Sequence, residues 1–111
     1  MQKNTKPAVV YTTCPSLEIA EHIAGELLKR QQAACVNIIP QIISVYIWDE
    51  KIQRDEEVAM LIKTQAHLSD IVMETIKCLH PYDVPAGIVF PTDGGSGTFL
   101  EWIAQQTKSS T

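Results

Sequence analysis

The segment from His80 to Pro85 brings together three side chains that could take part in chemistry. An imidazole, a phenol and a carboxylate, those of His80, Tyr82 and Asp83, lie in a stretch that two prolines stiffen. Such groups can bind a metal ion or act in acid–base catalysis. Alternatively, the segment only connects a helix to a strand, with His80 capping the helix C-terminus. The residues alone leave both interpretations open.

Cys14 is a second candidate, because it follows an apolar run and precedes a predicted helix. The partial positive charge at a helix N-terminus lowers a thiol pKa, which would make Cys14 a thiolate ligand. The alternative is a small, half-buried residue without a chemical role. Together with Cys35 and Cys78 it makes an odd number of cysteines, widely spaced and without a CxxC pair. This pattern indicates reduced thiols and a cytoplasmic protein rather than a disulfide framework.

Acidic and aromatic side chains form a third group of candidates. The run from Asp55 to Glu57 could collect cations together with Asp49 and Glu50, or could be the solvated end of a hairpin. Large aromatic side chains could line a pocket or pack in an interface. They are those of Tyr46, Trp48, Tyr82 and Trp102. No nucleophile elbow, HExxH or EF-hand pattern accompanies them, so motifs alone define no reaction.

Hydrophobic periodicity predicts the elements that position these groups. The predicted elements are strands over 8–13, 35–48, 52–64 and 87–91, and helices over 16–32 and 68–80. Ser16 is the expected N-cap of the first helix, and Thr98 with Glu101 forms a capping-box pattern that opens a short terminal helix. The order β-α-β-β-α-β predicts a ferredoxin-like α+β fold. We expect one domain over residues 1–111, with a core over about 8–106.

The second strand is expected to be apolar on both faces, with a bulge or bend at Pro40 and Gln41. One face carries Val36, Ile38, Ile43, Val45 and Ile47, and the other carries Ile39, Ile42, Tyr46 and Trp48. From Val36 to Trp48 the strand would reach roughly 43 Å at about 3.3 Å per residue. A compact domain of this length has a radius of gyration of roughly 13 Å. The hairpin should therefore overhang its core, and its apolar faces predict a homo-oligomer.

Composition and charge exclude several classes of partner. The 45% of hydrophobic residues suffice for a core, and 9 basic against 13 acidic residues give a net charge of −4. Such a chain presents no cationic field to duplex nucleic acid or to an anionic membrane surface. The stretch 31–48 contains no charge but too many polar residues for a membrane helix. We expect neither nucleic acid nor membrane as a partner.

Five blocks of sequence are distinctive in their order and spacing. They are Ala33–Pro40, Tyr46–Trp48, Asp55–Thr64, His80–Pro85 and Phe99–Ile103. Together these blocks resemble the CutA family of divalent-cation tolerance proteins. The resemblance runs from about Ala8 to Ile103, which is nearly the whole chain.

The resemblance implies a ferredoxin-like fold with a long hairpin, and a PII-like homotrimer whose hairpins pair between subunits. It implies tolerance of divalent metals such as copper and no enzymatic reaction, so a divalent metal is the one cofactor it suggests. Metal or ligand would bind in clefts between subunits. We expect His80, Cys14, Glu57 and Asp83 to be the metal ligands in this chain, and Trp48, Tyr82, Lys63 and Trp102 to line the cleft.

Departures from the family pattern fall at positions that matter for metal binding. Members with a described copper site have a cysteine and two adjacent histidines, where this chain has Thr12, Leu79 and His80. Ala86 replaces a usual glutamate, and residues 49–50 replace a usual Glu-Gly turn. One imidazole per chain cannot hold copper against a strong chelator. We therefore predict weak, easily chelated copper binding that depends on His80.

Two other functions remain consistent with the sequence. A PII-like trimer could sense a small molecule and pass a signal to a protein partner through its hairpins. An enzyme could use His80 and Asp83 in acid–base catalysis, although no second positioned partner accompanies them.

Overall fold

The computed structural model describes residues 6–107, and the elements follow the predicted order. They are β1 (Pro7–Cys14), α1 (Leu17–Lys29), β2 (Cys35–Trp48), β3 (Lys51–Gln65), α2 (Ser69–Leu79), β4 (Ile88–Pro91) and α3 (Gly97–Gln106). A 3₁₀ turn at Ala66–Leu68 precedes α2. The predicted α+β class is confirmed. The expected domain also extends over residues 1–5 and 108–111, which lie outside the described residues.

The strands form one antiparallel sheet in the order β2-β3-β1-β4, which is the order of the ferredoxin-like fold. Its two faces are covered differently. Val10 and Ile62 point to the side on which α1 and α2 pack, here named the helix face. Successive residues of a strand point to opposite faces, so Val9 and Lys63 point to the other side, here named the open face. α3 packs over one end of the open face, where Ile103 is buried.

The core lies between the helix face and the two helices that cover it. Both helices contribute fully buried side chains: Ile23 and Leu27 from α1, and Val72 and Ile76 from α2. These side chains belong to one cluster with Met60 of β3. Burial of a side chain of this size contributes about 1.5–3 kcal/mol to folding. The apolar stripes that predicted both helices are thus the surfaces that the core buries.

α1 begins where the sequence predicts but ends earlier. Ser16 is its N-cap, and the hydroxyl accepts a hydrogen bond of 3.2 Å from an amide of the first turn. The helix ends at Lys29 rather than near residue 32, because Gln31 adopts a left-handed φ of 58°. The amide of Gln32 then donates to the carbonyl of Leu27 at 2.9 Å. This bond satisfies one of the carbonyls that a helix C-terminus leaves free.

The capping box predicted for the terminal helix is wrong. α3 begins at Gly97, with Ser96 in extended backbone as its N-cap and no capping bond from that side chain. Thr98 lies inside the first turn, with its hydroxyl 3.3 Å from the hydroxyl of Ser96. Because the helix starts two residues earlier than predicted, Glu101 no longer occupies the position from which a capping-box side chain reaches back.

A β-bulge in β2 lies at the predicted position. The register with β3 shifts between Ile39 and Ile42, so that Pro40 and Gln41 together lie opposite Val58. Proline has no N–H for the ladder and is tolerated at such irregularities. Before the bulge, even-numbered residues of β2 share the helix face, and after it odd-numbered residues do. The predicted grouping of Val36 and Ile38 with Ile43, Val45 and Ile47 is confirmed.

The far part of the β2–β3 hairpin extends beyond the rest of the molecule, as predicted. β1 ends opposite Val58, so within the described chain residues 51–57 pair only with β2. The molecule measures 52 × 26 × 21 Å, with a radius of gyration of 14.8 Å. We name the segments 42–48 and 51–57 the outer hairpin. The segments 35–39 and 59–63, which lie over the core, form the inner hairpin.

The outer hairpin ends in a two-residue turn at Asp49 and Glu50. Their φ angles are 54° and 65°, and a type I′ turn requires positive values at both positions. Glycine, asparagine and aspartate tolerate this conformation, whereas a longer side chain costs roughly 1–2 kcal/mol. Lys51, which lies just before the predicted strand over 52–64, already belongs to β3.

Candidate functional site

His80 makes hydrogen bonds through both of its ring nitrogens. Nε2 lies 2.7 Å from the carbonyl oxygen of Thr13, and Nδ1 accepts from the amide of Tyr82 at 3.1 Å. A carbonyl only accepts, so Nε2 carries the proton and Nδ1 is the acceptor. Neither nitrogen of this tautomer offers a free lone pair. A metal ion at His80 would have to displace one of these bonds.

The backbone of His80 ends α2, which confirms the capping interpretation. The amide donates to the carbonyl of Ile76 at 2.9 Å, and Pro81 follows. The imidazole, whose ring centroid is 4.7 Å from that of Tyr82, ties this helix end to the end of β1. The His80 end of the segment is therefore held by the end of α2 and by the end of β1.

Cys14 is fully buried, and its predicted thiolate character is wrong. Its Sγ lies 3.5 Å from the Sδ of Met60, inside the core cluster. Burial, with a smaller contribution from the charge of Glu57, raises the pKa of the Cys14 thiol to about 11. Burial outweighs the helix N-terminus here, because α1 begins only at Leu17 and the thiol points into the core. At neutral pH the group is a thiol.

Carboxylates and phenols gather where the outer hairpin leaves the core. Glu57 accepts a hydrogen bond of 2.6 Å from the hydroxyl of Ser44, and Asp55 accepts one from the hydroxyl of Tyr46. Burial, followed by the charges of Glu57 and Asp55, raises the pKa of Tyr82. The bond to Asp55 is the main cause that raises the pKa of Tyr46. We name Asp55, Glu57, Tyr46 and Tyr82 the acidic cluster.

Two further carboxylates lie at the border of the acidic cluster. Glu56 and Glu57 line a cavity of about 390 Å³ between the bulge and the start of α1. Asp83 is exposed on the loop that follows α2. Within residues 6–107 of one chain, no three His, Cys, Asp or Glu side chains are close enough to share a metal ion. One chain by itself therefore lacks a preformed metal centre.

The predicted cleft walls lie far apart in one chain. Trp48 is opposite Lys51 at the tip of the outer hairpin, whereas Lys63 lies on the inner hairpin. Lys51 and Lys63 are twelve steps apart along β3, which corresponds to roughly 40 Å. Trp102 is at the same end as Lys63: it stacks on Phe99, whose ring lies 5.6 Å from the Lys63 Nζ. Only Tyr82, among the predicted wall residues, is next to predicted ligands.

Packing fills the positions where other family members are expected to have copper ligands. Thr12 is fully buried, and its hydroxyl donates to the backbone carbonyl of Ala86 at 2.5 Å. Leu79 packs against the core cluster. Two positions that depart from the family pattern, 12 and 86, are therefore in contact with each other. No feature of the sequence alone could have predicted this pairing across 74 positions.

Sequence reasoning missed Ser44 and Met60 as neighbours of the predicted ligands. Ser44 shares a face with Glu57 only because the bulge shifts the alternation of β2. The bulge was predicted, so the alternation beyond it could have identified Ser44. Met60 gave no such signal, since its contact with Cys14 depends on how β1 and β3 pair.

A four-stranded antiparallel sheet, two helices on one face and a projecting hairpin define a protein of the ferredoxin-like class. A family model described as CutA1 divalent ion tolerance protein matches residues 8–106. The chain therefore belongs to the CutA1 divalent ion tolerance family, and the resemblance seen in the sequence is confirmed.

Relatives and solved structures agree with this assignment. "Protein CutA 1, chloroplastic" of Oryza sativa is 44% identical over 102 residues, which cover 92% of this chain and 58% of that protein. "Divalent-cation tolerance protein CutA" of Thermus thermophilus is 39% identical over 99 residues, 89% of this chain and 96% of that protein. The crystal structure of CutA1 from Oryza sativa has a TM-score of 0.91 at 43% identity, covering 95% and 96% of the two chains. The chain spans only 57–58% of the rice, mouse and human relatives that it matches.

Proposed function

We propose that the protein works as a homotrimer in the tolerance of divalent cations, and that it binds a divalent metal such as copper in clefts between subunits. The observation that carries this proposal is the outer hairpin. Its apolar side chains on the helix-face side have no cover within the described chain: Ile43, Val45, Ile47 and Ile52 are 54–77% exposed. Contiguous apolar surface of this kind marks a protein–protein interface.

The number of three subunits in this proposal is supported by the resemblance to the CutA family, which implies a homotrimer. The hairpin itself only requires that other copies cover it, and closed symmetric assemblies satisfy such a requirement without exposed ends. Assembly also supplies what one chain lacks, because it can bring Trp48 of one subunit near Tyr82 or Lys63 of another. The separation of these residues within one chain supports a site that is shared between subunits.

Metal binding in this site is expected to be weak. Copper prefers imidazole and thiolate ligands, but His80 already uses both nitrogens and Cys14 is a buried thiol. The accessible donors are oxygen atoms, above all those of Glu57 and Asp83. Carboxylate oxygens suit harder divalent cations better than copper. We expect copper to bind His80 only when one of its two ring nitrogens loses its hydrogen bond.

Titration of the assembled protein with copper against a competing chelator tests this proposal. We expect weak binding that the chelator removes, and a further loss in the His80→Gln and Glu57→Gln variants. Glu18→Gln is the matched control, because Glu18 is exposed in the first turn of α1. Tight binding of one copper per chain that is lost in Cys14→Ser would contradict the proposal, since the core would then have to open around the metal.

A small-molecule sensor that acts through a protein partner is the alternative function. The exposed tip favours it, since Trp48 and Ile52 are 71% and 77% exposed next to the turn and could contact a partner. A screen of thermal stability against metabolites and metals separates the two functions, because a ligand stabilises the folded state according to its affinity. Stabilisation by a metabolite and not by metals would favour the sensor.

Two further parts of the proposal concern chemistry and location. We propose no catalytic reaction, because the nitrogens of His80 are engaged and Asp83 is exposed without a positioned partner among residues 6–107. We propose a cytoplasmic location on the basis of the unpaired cysteines. The rice relative is named chloroplastic. None of the helices described is long and apolar enough to cross a membrane.

A further inference from the structure

The two hydrogen bonds of the His80 ring lead to different parts of the fold. Nε2 donates to the carbonyl of Thr13 at 2.7 Å, and Thr13 is held in β1 opposite Ala59 of β3. Nδ1 accepts from the amide of Tyr82 at 3.1 Å, only two residues further along the chain. Tyr82 lies between α2 and β4, outside every helix and strand. The sheet therefore fixes the first partner, whereas a short turn carries the second.

These contacts make the two ring nitrogens unequal as metal ligands. A metal ion binds the lone pair of one nitrogen of a neutral imidazole, and the other nitrogen keeps the proton. At Nδ1 the ion would displace only the Tyr82 amide, and the bond from Nε2 to Thr13 would remain. At Nε2 the ion would require the proton on Nδ1, where it would face the N–H of Tyr82. Binding at Nδ1 therefore costs one hydrogen bond, and binding at Nε2 costs two.

The bond to Thr13 also prepares Nδ1 for a metal ion. Histidines that bind metals donate their other ring N–H to a carboxylate or a backbone carbonyl, which fixes the tautomer and makes the ligand nitrogen more basic. The Thr13 carbonyl is such an acceptor, and both residues are buried. The backbone of His80 is held as well, since its amide donates to the carbonyl of Ile76 at 2.9 Å. All of these contacts form within one chain and do not depend on assembly.

We propose that a divalent cation binds His80 through Nδ1, that the Thr13 carbonyl positions the ring, and that the Tyr82 amide competes with the cation. This inference rests on the proposed function and adds a coupling between the metal and the backbone. A displaced Tyr82 amide needs a new acceptor, so the turn after His80 should rearrange. The movement should stop at Ala86, whose carbonyl accepts a hydrogen bond of 2.5 Å from the hydroxyl of Thr12.

NMR of the assembled chain, with isotopically labelled histidine rings and backbone amides, tests the proposal with Zn²⁺ as a diamagnetic probe. With zinc, the Nδ1 signal of His80 should shift and Nε2 should keep its proton. The amide proton of Tyr82 should lose the shift that its hydrogen bond causes. His22 and His67 are internal controls, because both are exposed. A proton transferred to Nδ1, or an unchanged Tyr82 amide while His80 binds zinc, would overturn the proposal.

The same spectra separate this inference from the proposed function. Zinc that leaves every signal of His80 unchanged would contradict the metal site itself, and the inference with it. Zinc that binds His80 through Nε2 would contradict only the choice of nitrogen and the competition with Tyr82.

Removal of the competing amide should tighten metal binding. Tyr82→Pro has no N–H at this position, and Tyr82→Ala is the matched control because it also lacks the phenol but keeps the amide. We expect the proline variant to bind Zn²⁺ about two- to tenfold more tightly than the alanine variant, as the loss of one competing hydrogen bond implies. Equal or weaker binding in a folded proline variant would contradict the competition. If that variant does not fold, the spectra of the unaltered chain still decide.

Discussion

The inner and outer hairpins belong to the same two strands and are continuous in one ladder, yet their surroundings are opposite. In the inner hairpin, Met60 and Ile62 are fully buried beneath the two helices. In the outer hairpin, Val45 and Ile52 point to the same side of the sheet and are 64% and 77% exposed. The difference shows that strand pairing alone does not bury side chains. The inner hairpin is buried by this chain, whereas the outer one is left exposed by it, which is why we propose that other copies cover it.

A charge in the outer hairpin should have the largest effect, which is the loss of assembly. We expect the unaltered protein to have about three times the chain mass of 12.4 kDa. Val45→Glu should reduce it to that of one chain, because burying a carboxylate in an apolar interface costs free energy that the single charge of Arg54 opposite does not offset. Light scattering over a range of concentrations measures the mass.

The control for Val45→Glu is Leu28→Glu. Leu28 is 44% exposed and lies on α1, outside both the hairpin and the proposed site between subunits. This variant should keep the mass of the unaltered protein. A folded monomer of the unaltered chain at micromolar concentration would contradict the comparison between the two halves.

Truncation of one isoleucine in each half should separate folding from association. Ile62→Ala should lower the free energy of unfolding by about 2–5 kcal/mol at every protein concentration, because it leaves a cavity in the core. Ile52→Ala should act mainly through assembly, so its effect should grow as the protein is diluted. Chemical denaturation at several concentrations measures both. A concentration-independent loss in Ile52→Ala would show that one chain already buries this side chain.

The free energy of unfolding should depend on alkaline pH through Cys14, which lies at the boundary between the inner and outer hairpins. Since burial raises the pKa of Cys14 to about 11 from 9.0, the unfolded state loses its proton first. Stability from this group is complete below about pH 9 and falls by roughly 2–3 kcal/mol as the pH rises toward 11. Cys14→Val should flatten this part of the profile, and the exposed Cys78→Val should not. An identical slope in Cys14→Val would place the cause elsewhere.

The turn of the outer hairpin should show the smallest effect, and it is a stabilising one. Glu50→Gly should raise the free energy of unfolding by about 1 kcal/mol, because glycine tolerates the φ of 65° at this position. Gln53→Gly, in extended backbone of β3, should instead lower it by roughly 0.5–1 kcal/mol. Equal responses of the two variants would show that the turn carries no strain.

Much of the fold could be predicted because short-range patterns determine it. The stripe of α1, the N-cap at Ser16, the stop at Pro81 and the bulge at Pro40 each follow from a few neighbouring residues. The predicted start of α3 was wrong because two nearby residues could each have been its N-cap. Ser96 and Thr98 can both cap a helix, and only the conformation of the preceding loop selects Ser96.

The candidate site was less predictable, because it depends on contacts between distant parts of the chain. The spacing of Cys14 from α1 suggested an activated thiol, but its burial against Met60 comes from the pairing of β1 with β3. The two bonds of His80 involve Thr13 and Tyr82, and only the second of these partners is local. The expected cleft walls were Trp48, Tyr82, Lys63 and Trp102, and one chain brings only Lys63 and Trp102 to the same end.

The distribution of charge along the outer hairpin matters for newly synthesised chains. β2 carries no charge from Cys35 to Trp48 and forms an edge of the sheet. A long, apolar edge strand is the kind of segment that initiates aggregation. The four consecutive charges from Arg54 to Glu57 lie directly opposite Ile42–Val45. Like gatekeeper residues that flank aggregation-prone segments, they disfavour misdirected strand addition while chains are still unassembled.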